Sequence, residues 1–158
     1  MSISDPQLPV EPGSYLLWFY LPKQREIAIG RLGSRSFRRG WYGYCGSAFG
    51  PGGLRARLQH HLRRETRKHW HIDYFKEWAA VRGVWLCRGR NQEHHWSELM
   101  QKCPGAECPV PGFGASDCRC VTHLTYFPVR SQVRYALEQL AGSAGLLRFD
   151  FSRSRFLR

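Results

Sequence analysis

No stretch of the chain approaches 18 consecutive apolar residues, so nothing in it reads as a membrane-spanning helix. Its opening, MSISDPQLPVEPG, has neither a basic start nor an apolar core. That argues against a secretory signal and makes the cytoplasm the expected compartment. Negative charge is scarce: 12 Asp and Glu stand against 24 Lys and Arg, for a formal charge of +12 and a pI near 10.0. Such a balance points to a polyanionic partner, DNA first and RNA after it. No helix pairs a basic face with a large aromatic one, which makes an anionic membrane the poorer partner. No two cysteines have C-x-x-C spacing, and no repeat or long linker divides the 158 residues.

What is present describes one domain. Hydrophobic residues at 42% and aromatics at 14% argue against disorder. The length suits a core that needs no disulfides. Residues 1–12 carry three prolines and little periodicity, and read as a flexible arm ahead of a single domain over 13–158. Six cysteines in a reducing cell suggest metal binding or buried thiols rather than cross-links.

The segment from Gly40 to Arg64 organises the rest. Trp41 to Cys45 reads as a strand, glycines break it, and Leu54, Leu58 and Leu62 recur on one face of a helix extending to about Lys68. Arg57 and Arg64 lie on the flank of that face, where a guanidinium fork can grip a phosphate bidentately. Upstream, Tyr15 to Leu21 is almost wholly apolar and predicts a central strand. Glu26 to Leu32 predicts a second strand, and Gly33 to Arg39 a basic turn able to touch a nucleic-acid backbone through Arg38 and Arg39. Downstream, Val81 to Cys87 predicts a strand, Asn91 to Lys102 a helix carrying Glu93, and Cys103 to Cys120 a loop. His123 to Pro128 reads as a short strand or extended turn and Gln132 to Ala141 as a helix. The tail, FDFSRSRFLR, would pack as an edge strand or fray.

Gly13-x-Tyr15 at the head of one strand and Tyr44-Cys45-Gly46 at the end of a later one resemble the GIY-YIG nuclease superfamily. Gly46-Ser47-Ala48 and Leu54-Arg55-Ala56-Arg57-Leu58 resemble that family's loop and arginine-bearing helix. YCGSA, RKHWHIDYF and PVPGFGASDCRCVTHLTYF resemble an uncharacterised branch of it, over roughly Gly13 to Phe127. The resemblance implies an α+β fold, a small central antiparallel sheet flanked by helices. It also implies hydrolysis of DNA phosphodiesters with Mg²⁺ or Mn²⁺, in repair or nucleic-acid processing, with other repair proteins as partners. Tyr15, Tyr44 and Arg57 match the family's motif positions, and Glu93 is the candidate metal-binding glutamate, with Glu98 its rival. The chain departs in reading Gly-Ser-Tyr for Gly-Ile-Tyr and in placing an extra hairpin between the two tyrosines.

The chemistry suits those residue types. A carboxylate can hold Mg²⁺, a guanidinium relieves transition-state charge, and a tyrosine becomes a base where a cation stabilises phenolate. Ser47, on the family-like loop, and His61 join Arg38, Arg39 and Arg64 as expected nucleic-acid contacts. Of the adjacent His60 and His61, at most one can face the site. If HWHIDYF is extended, His71 and Asp73 point the same way, as a base and its orienting carboxylate would. Cys103, Cys108, Cys118, Cys120 and His123 offer enough soft donors for structural zinc, with His94 or His95 as a substitute, while Asp117 stands ready for the catalytic metal. Two other function classes remain open: a nucleic-acid-binding module of the same fold that does not cut, with Trp41, Tyr42, Trp70, Tyr74 and Trp96 stacking on bases, and a zinc-held adaptor.

Overall fold

Nine residues, GSYLLWFYL, form strand β1 (Gly13–Leu21), and all but Tyr20 are buried. A strand apolar on both faces has to be covered on both, so it belongs in the middle of a sheet. The computed structural model, which describes residues 8–142 and 146–149, places it there. Its partners in the five-stranded antiparallel sheet are β4 (Gly40–Ala48) and β5 (Ala80–Arg88). Outside them lie β6 (Leu124–Phe127), paired with β4, and β7 (Leu147–Phe149), paired with β5. The fold is α+β. Of the tail FDFSRSRFLR only Phe149, the last residue of β7, is described; residues 150–158 lie outside the described residues.

The alternation of β1 splits the core into two layers. Tyr15, Leu17, Phe19 and Leu21 face a cluster that includes Leu54, Leu58 and Leu62 of α1 (Gly53–Leu62) and Ile72 and Phe75 of α2 (His71–Phe75). Leu16 and Trp18 face the opposite way, against Trp96 and Met100 of α3 (Glu93–Gln101) and Val133, Ala136 and Leu140 of α4 (Arg130–Ala141). Among the described residues no helix is long and apolar enough to cross a membrane.

Four local expectations need correction. The second strand is shorter than EIAIGRL: β2 (Arg25–Ala28) ends where Gly30–Leu32 make one 3-10 turn. The expected basic turn is instead strand β3 (Ser34–Phe37), paired with β2 as a separate two-stranded hairpin. Phe37 explains the change, because burying it at 0% exposure rewards an extended backbone that the arginines around it do not signal. α1 stops at Leu62, where Arg63 turns extended. No apolar residue follows at the next helical step, and repulsion among Arg63, Arg64, Arg67 and Lys68 favours no further turn. The expected loose arm is anchored over residues 8–12. Leu8 is buried, and the carbonyls of Pro9 and Glu11 accept from the amides of Arg55 and Leu54 at the start of α1. Residues 1–7 lie outside the described residues.

Candidate active-site cleft

The two motif tyrosines are 29 positions apart in the chain, yet β1 and β4 place them side by side. Tyr15 sits opposite Gly46 in the register, so Tyr44 is its diagonal neighbour on the same face, with ring centroids 6.4 Å apart. Gly46 is what makes room: a Cβ there would stand 2.2 Å from the Tyr15 hydroxyl. Helix α1 crosses this end of the sheet on its leucine stripe and points Arg57 outward. The guanidinium lies 4.2 Å above the Trp70 ring, a cation–π seat that holds it in place.

Glu93 arrives from the other side of the sheet. Ser14 is wholly buried; its hydroxyl donates to the Arg90 carbonyl at 2.7 Å and accepts from the Gln92 amide at 2.6 Å. Those two bonds pin the β5–α3 turn that presents Glu93. Ser14, between Gly13 and Tyr15, is therefore a positioning group. At Glu93 itself, Ser47 Oγ donates to Oε2 at 2.7 Å, and His123 Nδ1 lies 2.9 Å from Oε1. The imidazole approaches out of line for a well-formed hydrogen bond, so that contact is chiefly electrostatic. Burial pushes the Glu93 pKa up, but His123 and Ser47 outweigh it, and the carboxyl stays below its ordinary range.

Tyr15, Tyr44, Ser47, Arg57, His71, Glu93 and Asp117 all line one cleft of about 650 Å³, together with Trp70, Asn91, His94 and Cys118. Glu98 is exposed and is not among the lining residues, which leaves Glu93 as the carboxylate of α3 in this cleft.

Behind the cleft wall lies a buried polar chain. The Tyr15 hydroxyl is 2.7 Å from His61 Nε2, and His61 Nδ1 faces Asp73 Oδ1 at 4.0 Å. Asp73 Oδ1 is 2.9 Å from His60 Nε2 and 3.4 Å from Lys76 Nζ. Its other oxygen accepts from the amides of His69 and Trp70. Burial drives the His61 pKa well below its ordinary value, more than Asp73 can restore, so the ring is neutral. Its Nε2 then accepts from Tyr15, with the N–H on Nδ1 turned towards Asp73. Burial raises the pKa of Tyr15, partly offset by Arg57, and raises that of Tyr44, with Tyr15 and Glu93 adding to it. Asp73 pulls against burial too, and its hydrogen bonds from Trp70, His69 and His60 and the nearby Lys76 leave it below its ordinary range.

Several expected site residues fall elsewhere. His61 is 1% exposed, so it touches Tyr15 and not a phosphate. His71 and Asp73 do not pair: the segment is helical, Asp73 turns inward, and His71 Nδ1 accepts from the Gly114 amide at 2.9 Å. Arg38 pairs with Glu107 and lies over Tyr126, and Arg39 donates to the Tyr20 hydroxyl. Both precede the far end of β4, roughly 25 Å along the strand from Ser47. Arg64 lies past the end of α1 and lines a different hollow, with Tyr20, Lys76 and Trp78. Tyr42 and Trp96 are buried in the core and cannot stack on bases.

The cysteines also sort themselves. Cys103 is buried and donates to the Leu99 carbonyl, while Cys108 is exposed. Cys118, Cys120 and His123 instead gather with His94. Burial and the neighbouring Cys118 push the Cys120 thiol up to about 11. The sequence missed Ser14 and the Trp70 seat for Arg57; a buried serine between motif residues was the one available signal.

Comparison with known proteins matches residues 14–146 to the model of one family, described as a domain of unknown function, DUF123. No curated protein matches the chain. No solved structure matches it either.

Proposed function

The chain belongs to the family described as domain of unknown function DUF123, a membership that assigns no chemistry, and we propose from the cleft itself that it is a metal-dependent endonuclease hydrolysing DNA phosphodiesters. One observation carries the reading: Tyr15 of β1, Tyr44 of β4, Arg57 of α1 and Glu93 of α3 converge on one cleft from four separate elements. Tyr15, Tyr44 and Arg57 are also the residues that resemble the GIY-YIG nuclease pattern, with Glu93 the candidate for its metal-binding glutamate. The net charge of +12 suits a nucleic-acid substrate.

The donors fit a hard divalent cation. Glu93 is held ionised and lines the cleft, and Asn91 and Asp117 line it too. Mg²⁺ takes one or two carboxylates and keeps several waters, so Glu93 would hold Mg²⁺ or Mn²⁺ with at most one further oxygen from these neighbours. Bound there, the ion supplies Lewis-acid polarisation of a phosphoryl oxygen.

The chain's own groups supply the rest. Arg57, fixed on Trp70, meets the charge that builds on the non-bridging oxygens. The Tyr15 hydroxyl donates to His61 Nε2, which leaves its oxygen lone pairs to accept from and orient the attacking water. This role needs neither a phenolate nor an imidazolium, both of which burial opposes. Tyr44 walls the cleft beside Tyr15 and Phe113. None of the six cysteines is in a disulfide, as a reducing compartment would keep them, and we place the protein in the cytoplasm.

The test is cleavage of branched, nicked and single-stranded DNA with Mg²⁺ or Mn²⁺, wild type beside Arg57→Ala. Loss of about 10²–10³-fold in rate with only moderately weaker binding supports the reading. Absence of cleavage by the wild type on every substrate, RNA included, refutes it. A second reading has its own observation. On the opposite face of the sheet, a groove presents Tyr20, Trp41 and Trp85 with Arg82, Arg130 and Arg134, and among the described residues no carboxylate lines it. Such a surface suits single-stranded bases, as in a binding module that does not cut.

A further inference from the structure

Four metal-ligating side chains meet at the edge of the cleft, and of these only His123, beside Glu93, enters the chemistry above. His94 comes from the first turn of α3, and Cys118, Cys120 and His123 come from the loop between α3 and β6. Their ligand atoms all lie within 4.8 Å of one another. We propose that His94, Cys118, Cys120 and His123 form a closed, four-ligand Zn²⁺ site that clamps the loop onto α3.

The geometry is close to what the ion requires. With Zn–S near 2.3 Å and Zn–N near 2.0–2.1 Å, neighbouring ligands of a tetrahedral site stand about 3.4–3.8 Å apart. Cys118 Sγ and His123 Nε2 are already at 3.4 Å. The remaining pairs, at most 4.8 Å apart, need to close by no more than about 1.4 Å, and side-chain rotation can supply it. His94 is exposed and both cysteines are half-buried, so none of the three is locked by packing. Its ring stands 5.4 Å from that of His123, centroid to centroid. Two thiolates with two imidazoles select a soft cation and reject Mg²⁺, so this site does not compete with Glu93 for the same metal.

The surroundings are those of a metal ligand. His123 is 1% exposed, and its Nδ1 lies 2.9 Å from Glu93 Oε1. A carboxylate beside one ring nitrogen, even off the hydrogen-bond line, favours the proton there by its charge and leaves the other nitrogen to bind metal. In His123 that other nitrogen is Nε2, the one turned to Cys118. The loop has its own need of a clamp: no helix or strand lies between Gln101 and Leu124. Cys118 and Cys120 come from its last part, and the same loop contributes Gly114, Ser116 and Asp117 to the cleft. The zinc would thus hold the cleft's outer wall to the helix that carries Glu93, one residue from His94.

The experiment is a metal count on the full chain purified without chelator, followed by removal of the metal and titration with Co²⁺. One zinc per chain is expected, and Co²⁺ should show tetrahedral d–d bands with thiolate charge transfer. Cys103→Ser and Cys108→Ser should keep the metal, while the Cys118→Ser, Cys120→Ser double variant should lose it. If that double variant fails to fold, His94→Ala decides, since His94 is exposed. It should weaken zinc binding by more than about tenfold, the scale of losing even an outer-shell partner. Folded wild type with no zinc and no Co²⁺–thiolate absorption overturns the proposal, as does unchanged affinity in His94→Ala. The metal count is independent of DNA cleavage, so it can fail while the nuclease reading stands, or the reverse.

Discussion

Gly46→Ala is the smallest change that should damage the cleft, and its effect can be worked out from the packing. The added Cβ would lie 2.2 Å from the Tyr15 hydroxyl and 2.3 Å from the ring carbon that bears it, where ordinary contact begins at 3.4 Å. The ring edge must therefore retreat by about 1 Å. Tyr15 is 1% exposed and its hydroxyl is bonded to His61 at 2.7 Å, so the ring can retreat only by shifting towards the cleft and straining that bond. Overpacking of this kind costs roughly 1–3 kcal/mol, and stretching a bond between buried polar groups adds about 1 kcal/mol. Alanine recovers about 0.5–1 kcal/mol, because glycine is the poorer residue inside a strand. The net expectation is a loss of about 2 kcal/mol, a fall of roughly 1 M in the urea midpoint with an unchanged slope. Tryptophan fluorescence, with six tryptophans to report, can follow it. The same 1 Å shift should lower cleavage by about 10²-fold. In a Tyr15→Ala background the cost of Gly46→Ala should vanish. A Gly46→Ala protein as stable as wild type, or a cost that persists without the Tyr15 ring, would refute the reasoning.

Asp73→Asn should destabilise the chain by about 3–5 kcal/mol, since it leaves the buried Lys76 ammonium without its counter-charge; a loss below about 1 kcal/mol in urea melts would contradict that account. Stability should also depend on pH in the weakly acidic range. His61 has a lowered pKa in the native state, so below about 6.5 the unfolded chain takes up a proton that the native one refuses. Stability is therefore lost as pH falls through about 6.5, at up to roughly 1.4 kcal/mol per pH unit from this ring. Asp73 and Glu93 have lowered pKa values, so their contribution is complete above about pH 4 and is lost only below it. Urea midpoints that stay level between about pH 7 and 5 would show that His61 can charge in place.

Much of the fold was legible because its signals are local. β1 announces itself as a run with almost no residue that water would hold, and β4 and β5 as aromatic and β-branched stretches bounded by glycine or charge. The Leu54, Leu58, Leu62 spacing is one face of α1, and all three are buried. What failed locally did so where burial of one or two residues decides. Phe37 made a strand of a basic segment, and Asp73, drawing in the amides of His69 and Trp70, made a helix turn of HWHIDYF.

For the site, the chain by itself determined which residue types were on hand: two motif tyrosines, a helical arginine, a glutamate at a helix start, and a loop rich in cysteine. Only the tertiary structure decided which of them meet. Glu93 was separated from Glu98 by the turn that Ser14 holds, and Cys118 and Cys120 from Cys103 and Cys108 by the path of the loop. Arg38 and Arg39 were carried to the far end of β4, and His61 was sealed behind Tyr15. The physical reason is the range of the forces. Helix and strand periodicities repeat within a few residues, so they are written in the sequence. The convergence of β1, β4, α1 and α3 on one cleft depends on register and on packing between segments up to 80 positions apart, which no local pattern encodes.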